Sequence, residues 1–177
     1  MLGASGGCGQ WAVRLAAGRG DDVTALVRPA TPYTPPAGVK GMVGDATDPA
    51  MLQAALQEKE AVLSYVGQRR AGKSPWARAL SPPDLVTRVV SALVPAMEKA
   101  GVKRLVLISA GGVGDSAAQL TPLVRRMVGA GNVGVAYRDL EEAERVLAGS
   151  ALDVTCVRPV TLVGGKPGGR AREVSRY

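Results

Sequence analysis

The feature that most constrains this chain lies at its start. Gly3-Ala4-Ser5-Gly6-Gly7-Cys8-Gly9 spaces glycines at 3, 6 and 9 and runs directly into a helical pattern, Gln10–Ala17. Glycine allows a tight turn and lets backbone N–H groups approach an anion closely. A helix N-terminus adds a partial positive charge at the same place, so the arrangement suits a pyrophosphate. The plainer reading is a glycine-rich turn without a ligand. Against it, a strand-like run, Asp22–Val27, follows the helix at the distance a strand–helix–strand unit requires. Gly3, Ser5, Gly6, Gly7, Cys8 and Gly9 are therefore candidate ligand contacts. Cys8 reads as a small residue in the turn and not as a redox centre.

The same alternation continues along the chain. Strands are expected at Val39–Val43, Ala61–Val66, Arg104–Ser109 and Asp153–Val157. Helices are expected at Pro49–Glu58 with Asp48 as N-cap, from Ser81 to about Ala100, and from about Tyr137 to Ala148. Ser81-Pro82-Pro83-Asp84 should open the longest helix, Pro95 should kink it, and Gly101 should stop it. Thr31–Gly38 and Gly67–Ser81 read as loops. Repeated strand–helix–strand order predicts an α/β fold: a doubly wound parallel sheet of the Rossmann type, in one domain over residues 1–177. One feature is unusual for such a sheet. Only Met1 and Leu2 precede the glycine loop, where a strand of about five residues belongs. The first strand is expected to be truncated, with a gap at the sheet centre beside Asp22–Val27 and Ala61–Val66.

Composition narrows the function classes. Apolar residues make up 46% of the 177 and Phe is absent, so Leu, Val and Ala must fill the core, as suits a covered parallel sheet. The net charge of +7 is spread evenly along the chain, which argues for a solvated basic surface or attraction of phosphate-bearing ligands. No aromatic interleaving or motif supports nucleic-acid binding. His is absent and the two cysteines, Cys8 and Cys156, are far apart, so neither a metal site nor a disulfide framework is expected. With no apolar run of membrane-spanning length and no signal peptide, the expected location is the cytoplasm.

The end of the strand after the glycine loop selects between cofactors. An acid there would hold the 2′-hydroxyl of NAD. This chain has Val27-Arg28-Pro29, while Asp21 and Asp22 sit at the wrong end of the strand. Arg28 suits a 2′-phosphate, which favours NADP over NAD. A solvated strand-end charge is the alternative.

Taken together, the glycine loop, ALVR ending at Arg28, GDATD at 44–48, RLVLIS ending at Ser109 and LDVTCVRP ending at Pro159 resemble the atypical short-chain dehydrogenase/reductase superfamily. The resemblance is strongest to its NAD(P)H-binding branch, which includes biliverdin-IXβ/flavin reductases and NmrA-like proteins. It spans Gly3 to about Gly165. It implies that Asp45 and the adjoining Ala46 contact adenine, and that Tyr65-Val66-Gly67 line the adenosine ribose. It implies further that Ser109 lies near the nicotinamide and is the candidate catalytic residue, and that Arg158-Pro159 form the turn over the nicotinamide end. Plainer readings stand beside these: a turn cap for Asp45, a packed aromatic for Tyr65, a strand-end hydroxyl for Ser109 and a surface charge for Arg158.

One departure matters more. Classical members carry Tyr-x-x-x-Lys, whose Lys lowers the tyrosine pKa. Here Glu141 lies four residues after Tyr137, and aligning Glu144 with the family's helical acid puts Leu140 at the Lys position. In either register the Lys is missing, so classical alcohol or sugar oxidation is disfavoured. After the Ala61–Val66 strand, Arg69, Arg70, Lys73 and Arg78 surround Trp76 and could hold an anionic or planar substrate. A solvated loop is the alternative. The expected function is an NADPH-dependent reductase that passes hydride directly to a planar acceptor such as a flavin, quinone or tetrapyrrole. A non-catalytic NADP(H)-sensing regulator of NmrA-like kind is the second reading. A nucleotide-sugar epimerase or dehydratase would need the missing dyad and a larger substrate domain.

Overall fold

The structure, a computed structural model, describes residues 1–29, 31–72, 74 and 76–160. The chain forms, in order, α1 (Gly7–Gly18), β1 (Val23–Val27), β2 (Val39–Val43), α2 (Pro49–Ala55), β3 (Ala61–Ser64), α3 (Leu85–Ala100), β4 (Arg104–Ile108), a 3₁₀ turn (Gly114–Gln119), α4 (Pro122–Ala130), α5 (Val133–Ala148) and β5 (Asp153–Val157). Every strand pairing is parallel, and β1 is joined to β2 with Val23 opposite Val39 and Val27 opposite Val43. On the other side β3, β4 and β5 pair in that order.

Leu2 joins the two halves by bridging Leu26 of β1 and Ser64 of β3. The order across the sheet is therefore β2-β1-Leu2-β3-β4-β5. Among the described residues, Met1 and Leu2 are the ones between β1 and β3. Beneath them a cavity of about 560 Å³ runs between the two strands, lined by Val23, Thr24, Ala61 and Val62 and by Leu52 and Leu93 from the helices.

Helices pack on one face of the sheet along β3, β4 and β5, and α1 packs on the opposite face at β1. Val13 of α1 packs on Val23, Ala25 and Val27, which project to one face of β1. Leu26 projects to the other, into the larger cluster formed by α2, α3 and α5 against β3, β4 and β5. At the centre of that cluster Leu93, Met97, Leu105 and Leu107 are fully buried. Truncating one of these leucines to Ala would cost roughly 2–5 kcal/mol, the lost transfer energy plus the cavity.

Local chemistry explains several boundaries. Asp48 caps α2 by accepting from Ala50 N–H at 2.9 Å, and Gly101 stops α3 in the left-handed region at φ 72°. The start of α3 corrects the sequence-based expectation. The helix begins at Leu85, and the Ser81 hydroxyl instead accepts from Arg69 N–H at 3.0 Å. The α3 N-terminus is satisfied by a residue of α5: Asp139, 4% exposed, accepts from Val86 N–H and Thr87 N–H, both at 2.9 Å. The helix continues through Pro95.

Candidate functional site

In a parallel sheet all strands end on the same edge, so the loops that follow them share one rim. The glycine loop after Leu2, Arg28 after β1, Asp45 and Ala46 after β2, Tyr65–Gly67 after β3, Ser109 after β4 and Arg158-Pro159 after β5 all lie there.

The glycine loop is shaped by contacts that exclude side chains. Gly3 has φ +70°, and a Cβ on it would lie 2.6 Å from the backbone carbonyl of Tyr65. A Cβ on Gly9 would lie 2.2 Å from the Gly3 oxygen. The loop is thus wedged between the end of β3 and the first turn of α1. Gly6 N–H donates to Gly3 O at 3.0 Å, and the Gln10 amide donates to Ser5 O at 2.9 Å, which pins the turn. At Gly7, by contrast, a Cβ would meet nothing within 4 Å. The N-cap residue of α1, Gly6, offers no side-chain hydrogen bond, and the first turn holds no acid. Its N–H groups and partial positive charge are therefore open to an anion at the rim. These features fit a dinucleotide pyrophosphate.

Arg28 is exposed just past β1, and no hydrogen bond or ion pair among the described residues holds its guanidinium. Asp45 is close enough to feel its charge. The Asp45 carboxyl is held below its ordinary range chiefly by Thr47 N–H, which donates to it at 2.8 Å, and then by the Thr47 hydroxyl at 2.9 Å, with Arg88 and Arg28 adding attraction. Asp45 is thus an ordered anion that also closes its own turn. Ala46 packs against the main core. Burial raises the Tyr65 pKa above its ordinary value, with Cys8 nearby adding to the effect. Cys8 is exposed.

Ser109 is 7% exposed, and its hydroxyl has no partner among the described residues. Its backbone N–H is tied to Val157 O at 2.8 Å, which holds the residue at the end of β4. A buried hydroxyl without a partner is costly, so this oxygen is suited to a ligand's polar group. Tyr137 reaches the same place from α5, its hydroxyl donating to Gly111 O at 3.2 Å. Glu141 is exposed one turn further on, and Leu140 packs against the core, so no Lys stands beside Tyr137 on α5.

Arg158 is engaged more fully than the sequence suggested. Its Nε and Nη2 donate to the two carboxylate oxygens of Glu144 at 3.1 and 2.6 Å, and its Nη1 donates to Asp115 at 2.5 Å. These contacts raise the Arg158 pKa and lower that of Asp115. The strand-end cation therefore braces the loop after β4. Pro159 O accepts from Gly111 N–H at 3.0 Å, tying that turn to the segment beside Ser109. Sequence reasoning identified Arg158 but not its partners Asp115 and Glu144. An acid–acid–base triad separated by 29 and 14 residues leaves no local pattern to read.

The loop after β3 closes through an antiparallel bridge between Arg70 and Ala79. Trp76 is 62% exposed, and its carbonyl accepts from Asn132 at 2.9 Å. Arg69 and Arg78 are exposed, and Arg70 donates to Ser74 O at 3.0 Å. Lys73 lies outside the described residues. Among the described residues no three His, Cys, Asp or Glu side chains gather as a metal site, and no helix is long and apolar enough to cross a membrane.

Comparisons with known proteins bear on the family and the fold. The profile of a family described as NAD(P)H-binding matches residues 3–176. No curated protein matches. Among solved structures, ChuY, an anaerobilin reductase from Escherichia coli O157:H7, is 28% identical with a TM-score of 0.77, over 99% of this chain and 79% of that one. ChuY from E. coli CFT073 is 26% identical with a TM-score of 0.70, over 97% and 76%. A short-chain dehydrogenase/reductase of Veillonella parvula DSM 2008 in complex with NADP shares the fold at 16% identity, with a TM-score of 0.68 over 89% of this chain and 66% of that one.

Proposed function

The chain belongs to the NAD(P)H-binding family, and on that premise we propose that it is an NADPH-dependent reductase acting on a planar, conjugated acceptor. The acceptor class is a tetrapyrrole, flavin or quinone. The observation that carries this reading is the buried, unpartnered Ser109 hydroxyl at the same rim as the open α1 N-terminus. Similarity to ChuY, an anaerobilin reductase, favours the tetrapyrrole within that class.

In this reading Gly3, Ser5, Gly6, Gly7, Cys8 and Gly9 receive the pyrophosphate on backbone N–H groups. Arg28 pairs with the 2′-phosphate, with Asp45 and Ala46 along the adenine and Tyr65-Val66-Gly67 along the ribose. Ser109 orients the nicotinamide end, and Arg158-Pro159 close the turn beside it. The cofactor supplies a hydride when bound. The chain's own residues position the two reactants, which is where most of the rate advantage of a direct transfer lies. A conjugated acceptor can take its proton from water, so the lack of Lys next to Tyr137 is no obstacle. The exposed Trp76 offers a stacking face, and Arg69, Arg70 and Arg78 offer charge for acidic substituents on the acceptor. The two free cysteines, Cys8 and Cys156, support a reducing cytoplasm as its location, and residues 1–177 act as one domain.

The missing Lys also supports the second reading, an NADP(H)-sensing regulator without turnover. An acceptor screen separates the two. NADPH oxidation at 340 nm is followed with tetrapyrrole, flavin and quinone acceptors, and with NADH as the alternative donor. Acceptor-dependent NADPH oxidation is expected. Tight NADPH binding with no turnover on any acceptor would favour the regulator.

A further inference from the structure

A second cavity, of about 280 Å³, lies between α1 and the loop that follows β1. Gln10 and Arg14 line it from the helix, and Pro32, Tyr33, Thr34 and Pro36 line it from the loop. That loop is held firmly. Thr31 N–H donates to Arg28 O at 3.0 Å, so the chain turns directly after Arg28. Three prolines, Pro32, Pro35 and Pro36, restrict the backbone beyond the turn. The Pro35 ring sits against Gly41 of β2, where a Cβ would lie 2.7 Å from it, and Val39 N–H donates to Pro36 O at 3.1 Å. On the helix side, the Gln10 amide donates to Ser5 O at 2.9 Å. The cavity therefore lies between the glycine loop and the Arg28 turn.

Two side chains in this cavity lack the partner that their chemistry calls for. Arg14 is exposed, and no acid among the described residues pairs with it. Its guanidinium carbon lies 5.6 Å from the centre of the Trp11 ring. Trp11 stands three residues earlier on α1, so this stack directs Arg14 back toward the helix N-terminus, the direction helical side chains favour. Tyr33 packs against the cluster around Val13 and Ala25, and its hydroxyl is buried without a partner among the described residues. Phenylalanine would serve that packing equally well, and the hydroxyl adds the cost of an unmade hydrogen bond. Burial raises the Tyr33 pKa and the charge of Arg14 acts against the rise, so the phenol is a neutral donor near a cation. Among the described residues that line the cavity, Arg14 carries the charge and none is acidic. A guanidinium and a hydroxyl donor with no acid beside them suit an anion.

We propose that Arg14 and Tyr33 complete, with Arg28, the pocket for the cofactor's 2′-phosphate, so that α1 as well as the end of β1 sets the choice of cofactor. This rests on the reading of the rim as a dinucleotide site. A dinucleotide with its pyrophosphate at the α1 N-terminus carries its adenosine ribose toward the end of β1. Its 2′ substituent then falls between Arg28 and the near side of α1. Arg14 meets it with a planar fork of donors, already steadied by Trp11, and Tyr33 adds an O–H donor. The two residues contribute nothing to a ribose that carries a free 2′-hydroxyl.

The test is calorimetric titration of the parent chain, Arg14→Gln and Tyr33→Phe with NADP⁺ and NAD⁺, which differ by the 2′-phosphate alone. Arg14→Gln should weaken NADP⁺ about tenfold and Tyr33→Phe about threefold, the loss of a charge-assisted and of an ordinary hydrogen bond. NAD⁺ affinity should change by less than about twofold in either variant. Arg14→Lys should fall between the parent and Arg14→Gln, because it keeps the charge and loses the fork. Arg14→Gln combined with Arg28→Ala should weaken NADP⁺ by less than the product of the two single effects, since both cations face one phosphate. Thermal midpoints of the variants near that of the parent show that the fold is intact. A parent that prefers NADP⁺ and variants that keep its full preference would overturn this proposal and leave the dinucleotide site standing. Equal losses for NADP⁺ and NAD⁺ would overturn it as well, because the pocket would then serve the shared adenosine. A parent that binds neither nucleotide would overturn both readings.

Discussion

Arg158 grips both carboxylate oxygens of Glu144, from β5 to α5, at 3.1 and 2.6 Å. The pair is partly buried, with side-chain exposures of 26% and 11%. Asp115 adds a second, fully exposed acid to the same guanidinium. This cluster fixes the end of β5 against the loop that follows Ser109. It places the ion pair beside the candidate nicotinamide site and not within it.

Removing one partner strands the other. Glu144→Gln should lower unfolding stability by about 1–3 kcal/mol, because Arg158 keeps only the exposed Asp115. A double-mutant cycle with Arg158→Gln should recover most of that loss as coupling energy. Additive single effects by urea unfolding would show that the pair is idle.

Asp139 links α5 to α3 more tightly still. Its carboxylate accepts from two backbone N–H groups, from the Thr87 hydroxyl at 2.8 Å and from Gln68 at 3.3 Å. Asp139→Ala leaves the buried N-terminus of α3 without acceptors. The expected loss is about 2–4 kcal/mol, read from the urea midpoint at unchanged m-value. A loss below about 0.5 kcal/mol, ordinary for a surface substitution, would contradict the capping role.

The positions most legible in the sequence are those whose signal is local. The bounds of β2 and β5 follow from runs of β-branched and apolar residues between turn residues, and Gly101 and Asp48 act where their chemistry predicted. The glycine loop was legible because its spacing is itself the structural requirement. What failed was non-local. The α3 cap comes from a residue 53 positions away, which no local pattern around Ser81 reveals. Helix α4 has no buried residue, and its apolar side chains Leu123, Val124 and Met127 are exposed, so no packing partner marks it. Its Thr121-Pro122 start was nonetheless a readable cap, and Thr121 does accept from Val124 N–H at 3.4 Å. Helix α5 begins at Val133 and not at Tyr137, because Gly134 interrupts the pattern by sequence yet is buried against Val128 O.

The two cysteines should differ sharply in reactivity. Cys8 is exposed at the candidate pyrophosphate loop, whereas Cys156 is half-buried and burial, with Glu144 nearby, raises its pKa above the ordinary thiol range. A thiol with a raised pKa remains protonated as the pH climbs, so its thiolate appears only at higher pH. At pH 8 iodoacetamide should label Cys8 first, and raising the pH to 9 should leave Cys156 slow. Saturating NADPH should protect Cys8. Faster labelling at Cys156, read by peptide mass spectrometry, would contradict the packing described for β5.

Two hydroxyls, those of Ser109 and Tyr137, lie near the end of β4. Tyr137→Phe should leave turnover nearly unchanged, because its hydroxyl is bonded to Gly111 O and α5 supplies no Lys beside it. Ser109→Ala should lower kcat modestly, by about threefold to tenfold, through loss of one orienting hydrogen bond. A true general acid contributes about 10²–10⁴-fold. A collapse of that size in Tyr137→Phe, at unchanged NADPH affinity, would establish a tyrosine proton relay.

The central claim is that this rim holds NADP(H) and that Arg28 reads its 2′-phosphate. Calorimetric titration of the parent protein and Arg28→Ala with NADPH and NADH tests it most directly. The account predicts that the parent binds NADPH about tenfold to a hundredfold more tightly than NADH, the equivalent of one charge-assisted contact. Arg28→Ala should remove most of that preference while leaving NADH affinity unchanged. Equal affinities for the two cofactors in the parent, or a preference that survives in Arg28→Ala, would contradict it.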